Sequence, residues 1–448
     1  MRRPRRPVLV LAALVVACSL GAGVGPAPAA RAATSAITPD NRPTALAGVE
    51  NGYVPADRLV TVAGGCRVAR QAGPSLALLY RLASSSGVGL GARDCYRPLD
   101  GQVSASANAT AAGNSACAAR PSTYPDGRPK GTSMHGWGKA VDMSEPGGIT
   151  FSSPGYRFLK AHAGSVGWNH PGWAEPGGSA CPEQWHWEWV GDGGTAGADP
   201  VRADVVGLLS AADGKGYLGV TGLGAVVPKG SARSAGGVDG VPINWVVVGA
   251  ASTPDRSGYW LLGADGGIFT FGSAKFYGST GAQRLNAPVV AMAATPDGRG
   301  YWLVAADGGI FTFGTAGFFG STGNLRLASP VVGMAPAPDG RGYWLVAADG
   351  GIFSFGSAAF KGSTGNLRLA QPIAAMAPTA SGGGYWLVAA DGGIFSFGDA
   401  PFLGSAAGRG LAAPVVGMCR TPKGDGYWVV AADGTVVPAG AAGALGGV

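Results

Sequence analysis

A Tyr-Trp pair recurs at a fixed interval through the second half of this chain, and that interval constrains the fold more than any other feature. The pairs stand at 259–260, 301–302, 343–344, 385–386 and 427–428, 42 residues apart each time. One further step back reaches Tyr217-Leu218, a degenerate copy with leucine in the tryptophan place. A period of about 40–45 residues marks a repeat architecture, in which each unit buries its apolar face against the next. A typical unit has apolar runs at Val331–Ala335, Tyr343–Ala347 and Ile352–Phe355, and a weaker run at Ala358–Phe360. Asp339-Gly340 and Asp349-Gly350 separate the first three runs, and Asp-Gly between alternating runs is a strong hairpin signal. Four short strands in 42 residues predict one propeller blade. Six such units fit between Val205 and the C-terminus, so residues 205–448 are expected to form an all-β, six-bladed propeller. A β-solenoid is the alternative, but it would stack shorter coils.

The 80 glycines would ordinarily suggest a loop-rich or disordered chain. Here the repeat turns account for them, and an ordered segment is expected. Each Tyr-Trp pair and each Ile-Phe-Thr/Ser-Phe run reads as packing between units. A sharper alternative gives some of these aromatics a binding role toward a cell-wall polymer or a protein. The first unit has Leu223 where the next five have Asp265, Asp307, Asp349, Asp391 and Asp433, as expected of a terminal unit.

The formal charge of +7 misleads, because the first 33 residues carry five arginines and no acids. The remainder holds 28 basic against 26 acidic residues, which is not a nucleic-acid-binding balance. Residues 1–33 read as a secretory signal: Arg2, Arg3, Arg5 and Arg6, then an apolar Val8–Val16, then small-residue cleavage sites near Ala32. Val15-Val16-Ala17-Cys18 is an alternative lipoprotein box that would place a lipid on Cys18. No later segment is apolar enough to span a membrane, so a secreted chain, associated with the cell wall, is expected. Cys66, Cys95, Cys117 and Cys181 fit an oxidising compartment, and their pairing stays open. Cys419 stands apart as a buried free thiol.

Residues 38–191 read as a small α+β domain, followed by a glycine-rich linker at 192–204. Helices are expected over Pro74–Ser84, with Ser75 as a cap, and over Tyr156–Ala163. Strands are expected over Val88–Asp94, Ala140–Met143 and Trp185–Val190, and a polar insertion over Ser104–Lys130.

The chemistry lies in two stretches, Ser-Met-His-Gly-Trp-Gly-Lys-Ala-Val-Asp at 133–142 and Pro-Glu-Gln-Trp-His-Trp-Glu-Trp at 182–189. His135, Asp142 and His186 supply two imidazoles and a carboxylate, the donor set of a zinc site that keeps one position open. Glu183 is a spare carboxylate suited to accept a proton from water. His135 and Asp142 are seven apart. On one flat strand they would face opposite sides, so Gly136 and Gly138 must let the chain turn between them. Glu183 and His186, three apart, need a bend or a helical turn.

The spacing Ser133-x-His135-x-x-Gly138-x-Ala140-x-Asp142 and Glu183-x-Trp185-His186-x-x-Trp189-Val190-Gly191 resembles the signatures of VanY-type D-alanyl-D-alanine carboxypeptidases. These are zinc peptidases of the LAS fold. Asn51-Gly-Tyr-Val-Pro55 and Tyr96-Arg97-Pro-Leu-Asp-Gly-Gln102 resemble two further stretches of that group. The resemblance spans about 50–191 and does not reach the repeats. It implies that His135, Asp142 and His186 bind Zn2+ and that Glu183 is the general base. It further implies that Arg97 holds the substrate carbonyl or its oxyanion, with Ser133 and Gln102 lining the pocket. The implied substrates are peptidoglycan stem peptides losing a terminal D-Ala. An endopeptidase of the same fold, cutting L-Ala-D-Glu or a crosslink, is the alternative, and a non-catalytic wall-binding scaffold is a reading of another class. Trp137 and Glu188 depart from the usual residues of the group, and Glu188 competes with Glu183 for the base role. His162 and His170 match no ligand position and read as surface or loop residues.

Overall fold

The computed structural model describes residues 49–62, 65–112, 122–123, 129–178, 181–190, 205–239 and 241–448. The signal sequence, Cys18, Cys117, the linker and most of the polar insertion lie outside the described residues.

The first half is mixed α/β. Its elements are β1 (Leu59–Val62), β2 (Cys66–Ala69), α1 (Gly73–Ser85), β3 (Gly91–Asp94), α2 (Leu99–Ala111), β4 (Ser122–Thr123), β5 (Pro129–Lys130), β6 (Ala140–Ser144), α3 (Pro154–His162), β7 (Trp168–Asn169) and β8 (His186–Trp189). The central sheet has the order β3-β6-β8-β7. Alternation along β6 explains its place: Val141 and Met143 are fully buried, while Asp142 points the other way and stays partly open. Against the buried face packs α1, whose Leu76, Leu79 and Ala83 have no exposed surface.

Some local expectations are corrected. Ser75 does not cap α1, which begins two residues earlier; it lies inside the first turn and its hydroxyl donates to Val166 O, tying the helix to the turn after α3. The N-terminus of α3 is capped instead by Ser153, which accepts from Tyr156 N–H. Helix α2 occupies the start of the region expected to be a polar insertion. Its only buried residues are Leu99 and Gln102, so it carries almost no apolar periodicity to reveal it.

The second half consists of six antiparallel sheets, each of three strands. They are β9 (Val205–Ser210), β10 (Gly216–Thr221) and β11 (Val226–Gly230); β12 (Val247–Ser252), β13 (Gly258–Gly263) and β14 (Ile268–Gly272); β15 (Val289–Ala294), β16 (Gly300–Ala305) and β17 (Ile310–Gly314); β18 (Val331–Pro336), β19 (Gly342–Ala347) and β20 (Ile352–Gly356); β21 (Ile373–Pro378), β22 (Gly384–Ala389) and β23 (Ile394–Gly398); and β24 (Val415–Arg420), β25 (Gly426–Ala431) and β26 (Val436–Gly440). The expected fourth strand is absent: the run at Ala358–Phe360 and its equivalents are held by side chains rather than by a ladder.

The middle strand of each sheet is buried at every position. Each fully buried tryptophan there meets the tyrosine of the next sheet, as in Trp260–Tyr301 at 5.6 Å and Trp344–Tyr385 at 5.8 Å between ring centroids. The last tryptophan, Trp428, meets Tyr217 of the first sheet at 5.5 Å. A backbone bond also recurs between neighbours, Val331 N–H to Ala306 O and Ile373 N–H to Ala348 O, and Val205 N–H to Ala432 O joins first to last. First strands therefore neighbour one another in the cycle β9–β12–β15–β18–β21–β24–β9, the arrangement that a six-bladed propeller requires. The Tyr-Trp positions are core, as their regular recurrence predicts.

The two halves share packing. Thr61 N–H donates to Asn244 O at 2.8 Å, and Val60 of β1 and Val246 belong to one apolar cluster.

Candidate metal centre

Two neighbouring strands and one turn build the site. In the β6–β8 ladder Asp142 lies directly opposite His186, so the two side chains share one face of the sheet. His135 arrives from the other side of a turn. Met134–Trp137 forms a short 3-10 helix that ends at Gly138 with φ +68°, a conformation that favours glycine. Gly136 is required for a different reason: a Cβ there would lie 1.9 Å from Asn51 Oδ1. The glycines thus turn the chain as the spacing predicts and bring His135 back toward Asp142.

The three donor atoms form a near-regular triangle. His135 Nε2 lies 3.1 Å from Asp142 Oδ1 and 3.3 Å from His186 Nδ1, and His186 Nδ1 lies 3.1 Å from Asp142 Oδ1. Metal bonds of about 2.0–2.1 Å in a tetrahedron place ligand atoms about 3.3–3.4 Å apart. The second nitrogen of each ring is also engaged. His135 Nδ1 donates to Cys95 O at 2.7 Å, and His186 Nε2 donates to Glu188 Oε1 at 3.2 Å. With those N–H groups facing outward, both inward nitrogens keep their lone pairs, the arrangement that metal-ligating histidines use. The donor set therefore fits a small divalent cation of the zinc type. It is the only such cluster of histidine, cysteine and acidic side chains among the described residues.

Electrostatics agree with a centre that prefers positive charge. When protons rather than a cation stand between the three groups, burial would raise the Asp142 carboxyl, but hydrogen bonds from the protonated rings of His135 and His186 outweigh it and hold the group well below the usual carboxylate range. Burial alone would lower the His186 imidazole, yet Asp142 and Glu188 hold it up at about 9.

Glu183 stands beside the triangle without joining it, its Oε2 3.8 Å from His186 Nδ1. A turn sets this distance, since His186 N–H bonds to Glu183 O at 3.2 Å. The same carbonyl accepts from His170 Nε2 at 2.9 Å. Burial, reinforced by the Asp142 charge, pushes the Glu183 carboxyl upward, against the pull of His186. Arg97 reaches the site from another side. Its Nε and Nη2 donate to Asp94 Oδ2 at 2.7 and 2.5 Å, and Nη2 lies 3.7 Å from Asp142 Oδ2.

Ser133 and Gln102 are brought near the centre but are occupied with the backbone that carries it. Ser133 Oγ accepts from His135 N–H at 3.2 Å. Gln102, only 1% exposed, donates to Asn51 Oδ1 and Arg97 O and accepts from Thr132 and Ser133 N–H. All four of its hydrogen-bonding positions are filled, so this residue braces the His135 loop rather than lining a pocket. Glu188, weighed from sequence as a rival base, instead orients His186 from behind. His170 is buried, not on the surface, between Glu175 Oε1 at 2.9 Å and Glu183 O.

Sequence reasoning missed several contributors. Cys95 contributes through its carbonyl, which no side-chain pattern reveals. A disulfide joins Cys95 to Cys66 and fixes that carbonyl to the end of β2. Cys181 is also disulfide-bonded. Cys419 is a free thiol, partly rather than fully buried. Trp173 stands at the rim, 41% exposed, with its ring 4.9 Å from that of His186. Asn51 ties the first described residues to Ser133 O at 2.9 Å.

Comparison with known proteins agrees with this geometry. Residues 66–192 match the family model VanY, described as D-alanyl-D-alanine carboxypeptidase. No curated protein matches the chain. The matched span contains the ligand triangle, Glu183 and Arg97, and the repeats lie wholly beyond it. Residues 66–192 are therefore similar to a VanY domain, and an all-β domain of repeated three-stranded sheets follows.

Proposed function

We propose that this protein is a secreted zinc peptidase that removes the terminal D-Ala from peptidoglycan stem peptides. The observation that carries the reading is the His135–Asp142–His186 triangle, with both outer ring nitrogens tied off and a spare carboxylate beside it. When bound, a zinc ion supplies Lewis-acid chemistry at that centre. The chain's own groups do the rest. Glu183, raised by burial, accepts a proton from the attacking water and returns it to the leaving amine. Arg97 is held in place by Asp94 and presents fixed positive charge where negative charge develops on the scissile carbonyl. Glu188 holds the ring of His186, and Cys95 O holds that of His135. Export to the cell wall follows from the basic, apolar N-terminus and is supported by the Cys66–Cys95 disulfide.

Purified protein should convert a pentapeptide ending in D-Ala-D-Ala into the tetrapeptide, read by mass spectrometry. Internal cuts would assign an endopeptidase instead. Glu183→Gln should lower kcat by at least about 100-fold while metal content, read by elemental mass spectrometry, stays unchanged. Full activity in that variant would remove Glu183 from the base role.

A further inference from the structure

The aromatics that recur most visibly in the sequence are buried, but a second periodic set is not. Phe276, Phe318, Phe360 and Phe402 are 60, 63, 60 and 64% exposed. They stand 42 residues apart, one on each of four consecutive repeat units. The first and last units carry Ser234 and Ala444 at that position. Leaving a phenylalanine in water forfeits its burial energy, so the folding of the units does not account for these rings.

Each ring is mounted on an immobilised segment. The carbonyl before it accepts from the buried tryptophan of its own unit: Lys275 O from Trp260 Nε1 at 2.8 Å, Gly317 O from Trp302 at 2.7 Å, Ala359 O from Trp344 at 2.9 Å and Pro401 O from Trp386 at 2.7 Å. The N–H after it donates to the tyrosine hydroxyl of the next unit: Tyr277 to Tyr301 at 3.1 Å, Phe319 to Tyr343 at 3.2 Å, Lys361 to Tyr385 at 3.1 Å and Leu403 to Tyr427 at 3.4 Å. One residue further on, the carbonyls of Gly278, Gly320, Gly362 and Gly404 accept from the same four hydroxyls. The core therefore fixes the backbone on either side of an exposed ring in the same way in each of four sheets, which lowers the ordering cost when a ligand arrives.

We infer that these phenylalanines form a binding face for a polysaccharide strand, each ring stacking on the C–H face of one sugar. The choice of occupant follows from the arrangement. A stable protein partner needs about 800 Å² of continuous surface per side, whereas here the exposed rings recur singly, one to each of four sheets, and the apolar residues that follow three of them, Tyr277, Phe319 and Leu403, pack against the cores of their units. Single weak platforms repeated on successive sheets suit a ligand that is itself periodic, because simultaneous engagement multiplies weak contacts into useful avidity. The glycan backbone of the wall has that chemistry. This inference rests on the peptidoglycan reading of the first half, and the test separates the two.

The experiment measures retention of the full chain on purified glycan strands stripped of stem peptides, with pentapeptide hydrolysis followed in parallel. Changing all four phenylalanines to leucine should weaken retention by about 100-fold or more, and single changes by a few-fold each. The four-tyrosine variant should bind nearly as wild type. Hydrolysis of the soluble pentapeptide should be unchanged in every case. Undiminished retention of the four-leucine variant overturns the inference, as does retention of the wild type only on strands that still bear peptides, or only on a protein partner. Phenylalanine-dependent retention without pentapeptide hydrolysis would keep the inference and remove the peptidase reading.

Discussion

At the scale of single residues, the centre depends as much on groups behind the ligands as on the ligands. The Glu188 carboxylate meets the far nitrogen of His186, and losing such a partner typically costs 10–100-fold in metal affinity. Glu188→Ala should therefore weaken zinc binding by about that factor in a chelator competition, with activity largely restored at saturating metal. His170 and Glu175 form a second support, behind Glu183. Burial alone would raise the Glu175 carboxyl, but bonds from Lys160, His170 and Tyr156 hold it at about 2 against an ordinary value of 4.5. A depressed folded-state pKa stabilises the fold above the unfolded value and loses that contribution as pH falls through the folded one. Glu175→Gln should accordingly melt below wild type at pH 6–7, and the gap measured by calorimetry should close as pH falls from about 4.5 toward 2. The cluster of His135, Asp142 and His186 was legible in the sequence because side chains able to hold a metal are few chemical types at short spacings. Cys95 O was not, because any residue can offer a carbonyl. Gln102 was legible as important but not in its role, because only its four neighbours show that it faces inward.

At the scale of elements, one pattern is used repeatedly: a middle strand buried on both faces and a tryptophan that reaches out of it to a loop carbonyl. Trp344 combines complete burial with the bond to Ala359 O at 2.9 Å. Trp344→Phe should cost about 1–3 kcal/mol, because the carbonyl is left without its donor. Trp344→Ala should cost about 3–5 kcal/mol through the cavity as well. Urea unfolding of the two variants distinguishes these terms: an unchanged stability in Trp344→Phe would exclude the hydrogen bond as a contributor, and an equal loss in both would exclude the cavity. The three strands of each unit were readable from Asp-Gly turns and alternating runs. The fourth was not a strand, because its backbone is satisfied by Trp and Tyr side chains and gains nothing from a ladder. Helix α2 was unreadable for the opposite reason, its exposed surface leaving no apolar stripe.

At the scale of the whole molecule, the cyclic contacts of the repeat half make its stability collective. Tyr217 packs on Trp428, and Val205 N–H is satisfied by Ala432 O. Removing the last unit, residues 415–448, would expose an unpaired face on each side of the gap, and such edges template association. The truncated chain should show oligomers by light scattering and faster proteolysis within 205–414, while a monomer with unchanged protection would argue that each unit stands alone.

The sequence by itself determined the repeat period, the position of the chemistry before residue 191 and the identity of the donor side chains. These are local quantities, fixed by spacing and by the chemistry of residue types. Only the tertiary structure decided that Asp142 lies opposite His186, that the outer ring nitrogens are tied to Cys95 O and Glu188, and that Phe276, Phe318, Phe360 and Phe402 face water while the Tyr-Trp pairs do not. Register and burial depend on which segments meet across long stretches of chain, and an aromatic periodicity is the same in sequence whether its rings point into the core or out of it.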